Sequence, residues 1–323
     1  MTTTRGTTMR IAHAVIAALA VTIGLSAVAA NPAAATVPTP IGHWGHGFAP
    51  YVSADCTQFG NYCAYTSYAE NIWYNGYAGD SYVGYEPNGW VTGAAWAQHG
   101  CWAESGWIKD CTADRAFVES SCGAGAIGCT LVTYKNDPTP HIDHALIYPC
   151  TNCGINPTQL YNVMLHEYGH AIGLPDRSYD DGGVMWPHQP NNSYRYPSGN
   201  DKNDLSYAYE TLTVNESLCC WQQTRSANHT YRLVMQSDGN LVEYCCGANG
   251  GSALWATGVT YTQNTAIMQN DGNFVVYSPF GPFCSTQTAG RGWYFRVQSD
   301  GNLVVYNSNG GAVWAKSWGS RCI

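Results

Sequence analysis

Alternating apolar and polar positions predict strands in two parts of the chain. Short alternating runs at residues 130–134 and 144–148 predict strands in the first half. Near the C-terminus, the run Gln236–Tyr244 recurs as Gln269–Tyr277 and again as Gln298–Tyr306. Each copy places an Asp-Gly turn before an alternating segment, which predicts a hairpin that leads into a strand. Three copies predict three equivalent structural units.

A helical segment between these two regions carries candidate chemistry. His166 and His170 are four residues apart, so on a helix both imidazoles face the same side and can bind one Zn²⁺ ion. Glu167 follows the first histidine. From there its carboxylate can accept a proton from a metal-activated water that attacks a peptide carbonyl, and can pass that proton to the leaving amine.

The residues after the second histidine predict the third ligand. Gly173 permits the left-handed backbone that ends a helix, and Pro175 cannot continue one. The chain is therefore expected to turn back and bring Asp176 to the metal, which leaves a fourth position for water, as in a catalytic zinc site. Three other side chains are close enough in sequence to compete for this role or to orient a ligand: Asp180, Asp181 and His188.

The pattern His-Glu-x-x-His-x-x-Gly-x-x-Asp resembles the signature of metzincin zinc proteases, in the snapalysin-like variant with aspartate as third ligand. The segment 183–187 is similar to the methionine turn of that family, with Met185 as an apolar floor beneath the metal. The resemblance implies an α+β metzincin-like catalytic domain with one catalytic zinc. It also implies that the strand at 144–148 is the edge strand that pairs with an extended substrate.

Two alternatives concern the chemistry of this domain. Zinc-activated water also serves non-peptide amides, so a hydrolase of cell-wall amides stays open. The acidic loop from Asp176 to Asp181 could hold Ca²⁺, although an acidic turn is usually only solvated.

The N-terminus predicts export. Arg5 and Arg10 precede an apolar run at 11–28 that ends in small residues. This pattern is typical of a signal peptide, which we assign to residues 1–35 with cleavage near 29–35. No other apolar run is long enough to span a membrane. We therefore expect a secreted, extracellular protein.

Cysteine content and charge agree with export. All 14 cysteines follow the signal region, which predicts disulfide bonds. Eight precede the zinc helix and six follow it, so each group can close its own bridges, and Cys150 and Cys153 are expected to form a structural disulfide rather than a redox pair. The net charge of -8 makes nucleic acid an unexpected partner.

The five residue types shared by the three repeats suit a sugar. At steps of two along a strand, Gln, Asp, Asn, Val and Tyr point to one face, where four hydrogen-bonding groups and one apolar contact converge. The pattern Gln-x-Asp-x-Asn-x-Val-x-Tyr resembles the mannose-binding motif of bulb-type lectins, which implies an all-β β-prism II fold of three four-stranded sheets. The candidate binding residues are Gln236, Asp238, Asn240, Val242 and Tyr244; Gln269, Asp271, Asn273, Val275 and Tyr277; and Gln298, Asp300, Asn302, Val304 and Tyr306.

Together these predictions define two domains and one main function. A zinc metallopeptidase domain is expected at 36–212 and a bulb-type lectin domain at 213–323. The predicted protein is a secreted zinc-dependent endopeptidase that acts on proteins or glycoproteins and is targeted by mannose-containing glycans. The alternative is a secreted carbohydrate-binding lectin or effector whose zinc domain is inactive or is not a peptidase.

Overall fold

A computed structural model describes residues 9–10, 44, 50–54, 62–75, 89–92, 101–135, 141–219, 222–228, 230–246 and 251–319. The described residues fall into two compact units, one that ends at Leu205 and one that begins at Ser206. From the sequence we placed the boundary between residues 212 and 213. The predicted signal peptide lies outside the described residues except for positions 9 and 10. Within the described part of the chain, no helix has the length and apolar character needed to cross a bilayer.

The first unit combines a five-stranded mixed sheet with helices. Its strand order is β3-β2-β4-β6-β5, in which all neighbours are parallel except β6 and β5. A two-residue strand near the N-terminus, β1, pairs with β7. The elements are β1 (Met9–Arg10), β2 (Tyr51–Ala54), α1 (Tyr62–Asn75), β3 (Gly89–Thr92), β4 (Trp107–Asp110), α2 (Arg115–Cys122), β5 (Thr130–Tyr134), β6 (Ile142–Ile147), α3 (Pro157–Ala171), β7 (His188–Gln189) and the first half of α4 (Gly199–Glu210), within which the boundary between the units falls.

The edge strand of this sheet is not the one that we expected. The segment 144–148 belongs to β6, which lies inside the sheet between β4 and β5. The outer strand is β5, at the predicted position 130–134. The prediction was wrong because hydrophobic alternation identifies a strand but does not say which of its two sides is paired. Any peptide that extends this sheet on that side would therefore pair with β5.

The N-terminus of α3 is fixed by a reciprocal capping box. The Asn156 side chain accepts a hydrogen bond from the backbone N–H of Gln159 over 2.9 Å, and the Gln159 side chain accepts one from the Asn156 backbone over 3.2 Å. Pro157 occupies the first helical position, where its missing N–H costs nothing. At the other side of the helix, Trp73 donates to the Leu165 carbonyl over 2.8 Å. These contacts set the start and position of the helix that carries both histidines.

Disulfide bonds occur in both units, as predicted. The structure confirms the bridge between Cys150 and Cys153. The other bridges among described residues join Cys101 to Cys111, Cys122 to Cys129, and Cys245 to its neighbour Cys246. Cys56, Cys220, Cys322 and the side chain of Cys63 lie outside the described residues. In an extracellular protein these bridges are expected to be stable.

The second unit is all-β, as predicted. Its described strands form three four-stranded antiparallel sheets with the orders β10-β11-β12-β13, β16-β15-β14-β9 and β19-β18-β17-β8. A single apolar core lies between them and includes the stacked rings of Phe274 and Phe295, whose centroids are 4.3 Å apart. The strands are β8 (Thr211–Thr213), β9 (Ser217–Leu218), β10 (Gln223–Arg225), β11 (Tyr231–Met235), β12 (Leu241–Cys245), β13 (Ser252–Ala256), β14 (Thr265–Met268), β15 (Phe274–Ser278), β16 (Gly281–Ser285), β17 (Tyr294–Val297), β18 (Leu303–Tyr306) and β19 (Ala312–Ala315).

The three predicted turns share one geometry. In each, the glycine after the motif aspartate has positive φ, between 79° and 86°, and its N–H bonds to the carbonyl of the motif glutamine. The glutamine N–H in turn bonds to the carbonyl of the motif asparagine. A three-residue loop with glycine in the left-handed region is a preferred hairpin connection. The turn glycines are Gly239, Gly272 and Gly301.

One buried carboxyl in the first unit lacks a cationic partner. Asp110, the last residue of β4, is fully buried, and within the described residues no ion pair involves its carboxylate. Burial raises the pKa of Asp110 from 3.8 to about 8, against a smaller lowering effect of the Thr66 hydroxyl on α1. The folded protein therefore holds a proton on Asp110 that the unfolded chain releases near pH 4.

This proton predicts how stability depends on pH. Because the folded-state pKa is raised, the contribution of Asp110 to stability is fully present below pH 4 and is lost as pH rises towards 8, by an amount on the order of a few kcal/mol. We expect Asp110→Asn to raise Tm at pH 8 to 9 and to leave it nearly unchanged at pH 4. Thermal unfolding of both proteins across this range measures the effect.

Asp143 provides a control of opposite sign. Burial raises the pKa of Asp143, but hydrogen bonds from Ser105 and His144 outweigh it and hold the pKa below its usual value. Asp143→Asn is therefore expected to lower stability at neutral pH and to have little effect below that pKa. An Asp110→Asn protein whose Tm follows the wild type at every pH would contradict the account of Asp110.

Candidate functional site

The structure brings together the three predicted metal ligands. His166 and His170 lie on α3 with their Nε2 atoms 3.0 Å apart. Asp176 Oδ1 lies 3.2 Å from Nε2 of His166 and 3.4 Å from Nε2 of His170. Both histidines are almost fully buried, with 0% and 1% exposure, whereas Asp176 is partly exposed. Among the described residues, these three form the cluster whose donor atoms could hold a metal ion.

Hydrogen bonds on the far side of each imidazole fix its tautomer. Nδ1 of His166 lies 2.7 Å from the Val184 carbonyl oxygen, and Nδ1 of His170 lies 2.7 Å from the Leu174 carbonyl oxygen. Because a carbonyl oxygen only accepts, each Nδ1 carries a proton, which leaves Nε2 of each ring as the nitrogen that can bind a metal ion.

Two ring nitrogens and a carboxylate oxygen therefore face one another at 3.0 to 3.4 Å. A cation between them would be attracted to all three atoms. Tetrahedral zinc with ligands at about 2.0–2.1 Å separates neighbouring ligand atoms by about 3.3 Å. The donor types, the tautomers and the spacing of 3.0 to 3.4 Å all fit such an ion.

The end of α3 delivers Asp176 to this cluster. Gly173 has φ of 103°, and its N–H bonds to the His170 carbonyl over 2.9 Å. The N–H of Leu174 reaches back to the Gly169 carbonyl over 2.9 Å. This pair of bonds is the Schellman arrangement, with glycine in the left-handed position. The turn reverses the chain directly after the second histidine, as the sequence predicted.

Arg177 holds the segment that carries Asp176. Its backbone N–H donates to the Met185 carbonyl over 2.8 Å. Its guanidinium bonds to Asp201 over 2.9 Å and to Asp204 over 2.5 Å on α4. Burial lowers the pKa of Arg177, but the bonds and charges of these aspartates raise it above its ordinary value. Arg177 therefore ties the third ligand to the methionine segment and to α4.

The competing side chains are engaged elsewhere. Asp180 pairs with Arg195 over 2.5 Å, and the hydrogen bond from Arg195 lowers the pKa of Asp180 to about 2. Asp181 accepts the Ser198 hydroxyl over 2.7 Å. His188 is likewise outside the three-residue cluster. These contacts also occupy the carboxylates that Ca²⁺ would need, which disfavours the calcium site that we considered for this loop.

Met185 packs directly against the helix at Gly169. It is fully buried, and a Cβ atom built on Gly169 would lie 2.2 Å from Met185 Sδ. Any larger residue at position 169 would therefore push the methionine away from the helix. The position of Met185 agrees with the predicted apolar floor. Sequence reasoning gave no role to Gly169, because a helical glycine reveals its purpose only through the neighbour that approaches it.

Glu167 lies in a closely fitted environment on the β5 side of α3. The Thr130 hydroxyl is 2.6 Å from Oε2 of Glu167 and 3.0 Å from the Glu167 carbonyl oxygen. A hydroxyl has one proton, so the shorter contact to the carboxylate is the stronger hydrogen bond. A Cβ atom at Gly128 would lie 2.6 Å from Oε1 of Glu167. Thr130 and Gly128 thus fix the carboxylate, and the sequence gave no signal for either role.

The repeat residues of the second unit make the same two contacts in all three copies. In each copy the Gln amide donates to the Tyr hydroxyl, over 2.6 Å in the first copy and 2.7 Å in the second. The Asp carboxylate accepts the backbone N–H of the motif Asn over 2.9 to 3.0 Å. The motif valines are 1 to 3% exposed, beneath these polar groups. The Gln-Tyr and Asp-Asn contacts are therefore common to the three copies.

The copies differ in how the motif asparagine is engaged. Asn273 Nδ2 donates to Ser285 and Asn302 Nδ2 donates to Ser317, each over 2.9 Å. In the first copy, Asn240 accepts hydrogen bonds from Thr257 and from a backbone N–H, while its Nδ2 makes no bond within the described residues. The first copy therefore has an amide donor that is available to a ligand.

Comparisons with known proteins find lectins over part of the chain. Solved structures that match include a monomeric mannose-binding lectin from Gastrodia elata, with 32% identity over 33% of this chain and 94% of that chain and a TM-score of 0.29. The mannose-specific agglutinin of snowdrop (Galanthus nivalis) shows 30% identity over 30% of this chain and 89% of that chain, with a TM-score of 0.27. A lectin from Allium sativum shows 30% identity over 32% of this chain and 97% of that chain, with a TM-score of 0.26.

No protein-family model matches the chain, and no curated protein does. Over about a third of its length the chain is thus similar to mannose-binding lectins, the class that the three repeats resemble. The metzincin resemblance of the first unit stays a prediction.

Proposed function

We propose that this protein is a secreted zinc-dependent endopeptidase whose C-terminal unit binds mannose-type glycans. The cluster of His166, His170 and Asp176 carries the catalytic part of this proposal. Its atoms face one another at 3.0 to 3.4 Å with both Nδ1 protons directed outward, an arrangement that supports binding of one metal ion. Hydrolysis of an unfolded protein by the metal-loaded chain, residues 36–323, tests it.

Each residue of the proposed active site would have a separate role in hydrolysis. The two histidines and Asp176 would hold the zinc ion. The ion would act as a Lewis acid that polarises the scissile carbonyl and lowers the pKa of the attacking water. Glu167 takes the proton of the attacking water and gives it to the leaving amine. Thr130 orients the Glu167 carboxylate. Met185 and Gly169 hold the helix turn that places His170.

The outer strand supplies a place for the substrate. β5 is at the edge of the sheet, and its first residue, Thr130, contacts Glu167. A peptide that adds to this edge in an extended conformation would run past the carboxylate that acts as the base. Main-chain pairing of this kind accepts many sequences, which suits an endopeptidase that acts on varied proteins.

The second unit would target the enzyme to surfaces that carry mannose-type glycans. Its three copies of the Gln-Tyr and Asp-Asn contacts each present donors and acceptors suited to vicinal hydroxyls. One shallow sugar site binds weakly, but three on one unit gain by avidity on a dense glycan surface. Glycoproteins and cell walls rich in mannose are the expected targets. Residues 1–35 would direct export, in agreement with the disulfide bonds.

Thr130→Val tests whether the Thr130 hydroxyl of β5 orients the Glu167 carboxylate. Valine keeps the shape of the side chain and removes the hydroxyl that holds the Glu167 carboxylate. We expect kcat to fall by about tenfold, because loss of orientation weakens proton transfer, and KM to change little. Steady-state hydrolysis of a fluorogenic peptide measures both constants.

Thr133→Val is the matched control, since Thr133 lies on the same strand with an exposed side chain. Its kcat is expected to stay near that of the wild type. Equal kcat for Thr130→Val and the wild type would show that the hydrogen bond from Thr130 does not contribute to proton transfer by Glu167.

A second candidate function rests on the burial of the site. Glu167 and His166 are fully buried. A closed site is typical of a structural zinc ion, which stabilises a fold and has no position for substrate. In that case the protein is a secreted carbohydrate-binding effector, and metal removal lowers Tm although the metal-loaded protein hydrolyses nothing.

A further inference from the structure

The three motif copies differ in the residue that faces the motif tyrosine across the sheet. In the first copy Arg232 on β11 is directly opposite Tyr244 on β12. Thr265 has the equivalent position in the second copy and Tyr294 in the third. Directly opposed residues of an antiparallel pair share a face, so each of these side chains lies beside its own motif site. The first copy alone places a cation there.

The Arg232 guanidinium has little to neutralise it. Its Cζ lies 5.3 Å from the centre of the Tyr244 ring, its Nε is buried without a hydrogen-bond partner, and it forms no ion pair with the described residues. Two other cations of this unit are paired with buried carboxylates: Arg296 with Glu210 over 2.8 Å, and Lys316 with Glu243. A guanidinium with unused donors is suited to a planar or tetrahedral anion.

A second arginine adds positive charge to the same row. Arg225 on β10 is directly opposite Arg232, so two like charges share one face of the sheet. In the third sheet the corresponding neighbour of Tyr294 is Thr213, which is neutral. The whole unit, residues 206–323, has six basic and six acidic residues, so this positive row is a local feature.

We propose that the first motif copy binds a hexose that carries an anionic group, with Arg232 contacting the anion. This inference rests on the proposed glycan-binding function and names the ligand class of one site. Asp238 lies in the turn at one end of the motif, whereas Tyr244 is the fourth residue of β12, at the other end of the motif. The anion is therefore expected at the Tyr244 end, away from the Asp238 carboxylate. Phosphate, sulfate and carboxylate substituents share the required chemistry.

The test isolates the first copy within the full mature chain. Asp271→Asn and Asp300→Asn silence the second and third sites while keeping the side-chain oxygen that accepts the turn N–H. Calorimetric titration with mannose, mannose 6-phosphate and mannuronic acid then gives three affinities for one site. We expect at least one anionic sugar to bind about tenfold more tightly than mannose, and the difference to shrink at high salt. The preferred sugar distinguishes phosphate from carboxylate.

Exchanging residues between copies shows whether Arg232 is responsible. Arg232→Thr introduces the residue of the second copy, so it should fold, lose the preference for the anionic sugar and keep its affinity for mannose. Arg232→Lys keeps the charge without the guanidinium fork and should retain part of the preference. Conversely, Thr265→Arg, tested in a chain with only the second site intact, should create a preference there.

The outcomes separate this inference from the function on which it rests. Mannose binding without any preference, or a preference that survives Arg232→Thr, would overturn the role of Arg232 and leave glycan binding intact. No binding of any of the three sugars to the unmodified chain would overturn both.

Discussion

Replacing Glu167 with glutamine is expected to reduce kcat/KM for protein substrates by about 10²- to 10⁴-fold, the usual contribution of a general base. Glutamine has nearly the same shape and can still accept the hydrogen bond that Thr130 makes to Oε2. It cannot take a proton from water at neutral pH. The metal ligands are untouched, so bound zinc should remain at the wild-type level. Hydrolysis of fluorogenic casein and elemental analysis of the same samples measure the two quantities.

Two control variants accompany this experiment, one expected to lose zinc and activity and one expected to keep both. His170→Ala removes a ligand atom from the cluster and should abolish zinc binding and hydrolysis together. Glu119→Gln alters a partly buried carboxylate on α2 that pairs with Arg115 and lies outside the His-Asp cluster, so it should leave both unchanged. Wild-type activity in a folded, zinc-loaded Glu167→Gln protein would show that this glutamate is not the base.

The triple variant Asp238→Asn, Asp271→Asn, Asp300→Asn is expected to lose retention on mannan. Each carboxylate accepts a backbone N–H within its own turn, a bond that asparagine can also accept, so the hairpins should keep their shape. The variant loses the charged acceptor for sugar hydroxyls in all three sites. Because avidity multiplies weak sites, we expect the apparent affinity to fall by about 100-fold or more. Surface plasmon resonance on immobilised mannan measures it.

The neighbouring turn positions offer a matched control. Ser237, Asn270 and Ser299 each precede a motif aspartate and are exposed. Replacing all three with alanine changes the same turns without touching the motif and should preserve retention. Equal retention of the aspartate variant and the alanine variant would contradict the assignment of the motif as a sugar site.

Local patterns were sufficient to predict that two histidines and an aspartate come together, and to predict the turns. Four-residue spacing places His166 and His170 on one helical face, and Gly173 marks the reversal that brings Asp176 back. Each of these features depends on residues close together in sequence. The same holds for the three Asp-Gly turns, whose glycines all adopt positive φ.

Features that depend on distant partners could not be predicted. The sequence identified β5 and β6 as strands but not which one ends the sheet, since pairing joins segments far apart in the chain. The contact of Thr130 with Glu167 spans 37 residues. Arg232 lies outside the repeated motif, and its place beside Tyr244 follows from strand register alone. A repeat shows what its copies share, whereas function can depend on where they differ.

In the proposed function, the second unit binds glycans and the first unit hydrolyses protein. Under this function, glycan binding by the second unit would raise the local concentration of protein substrate near the first unit. Weak and broadly selective binding of the peptide would then suffice for efficient hydrolysis on a glycan-rich surface. Retention on mannan and hydrolysis of soluble casein should therefore vary independently in the variants described above.

Hydrolysis of casein by the mature chain before chelation, after chelation and after addition of zinc tests the central claim most directly. We predict that activity disappears with the metal and returns with about one equivalent of zinc per chain. Activity that persists in the metal-free protein, or a folded and zinc-loaded chain that cleaves no protein substrate, would contradict the assignment of a zinc endopeptidase.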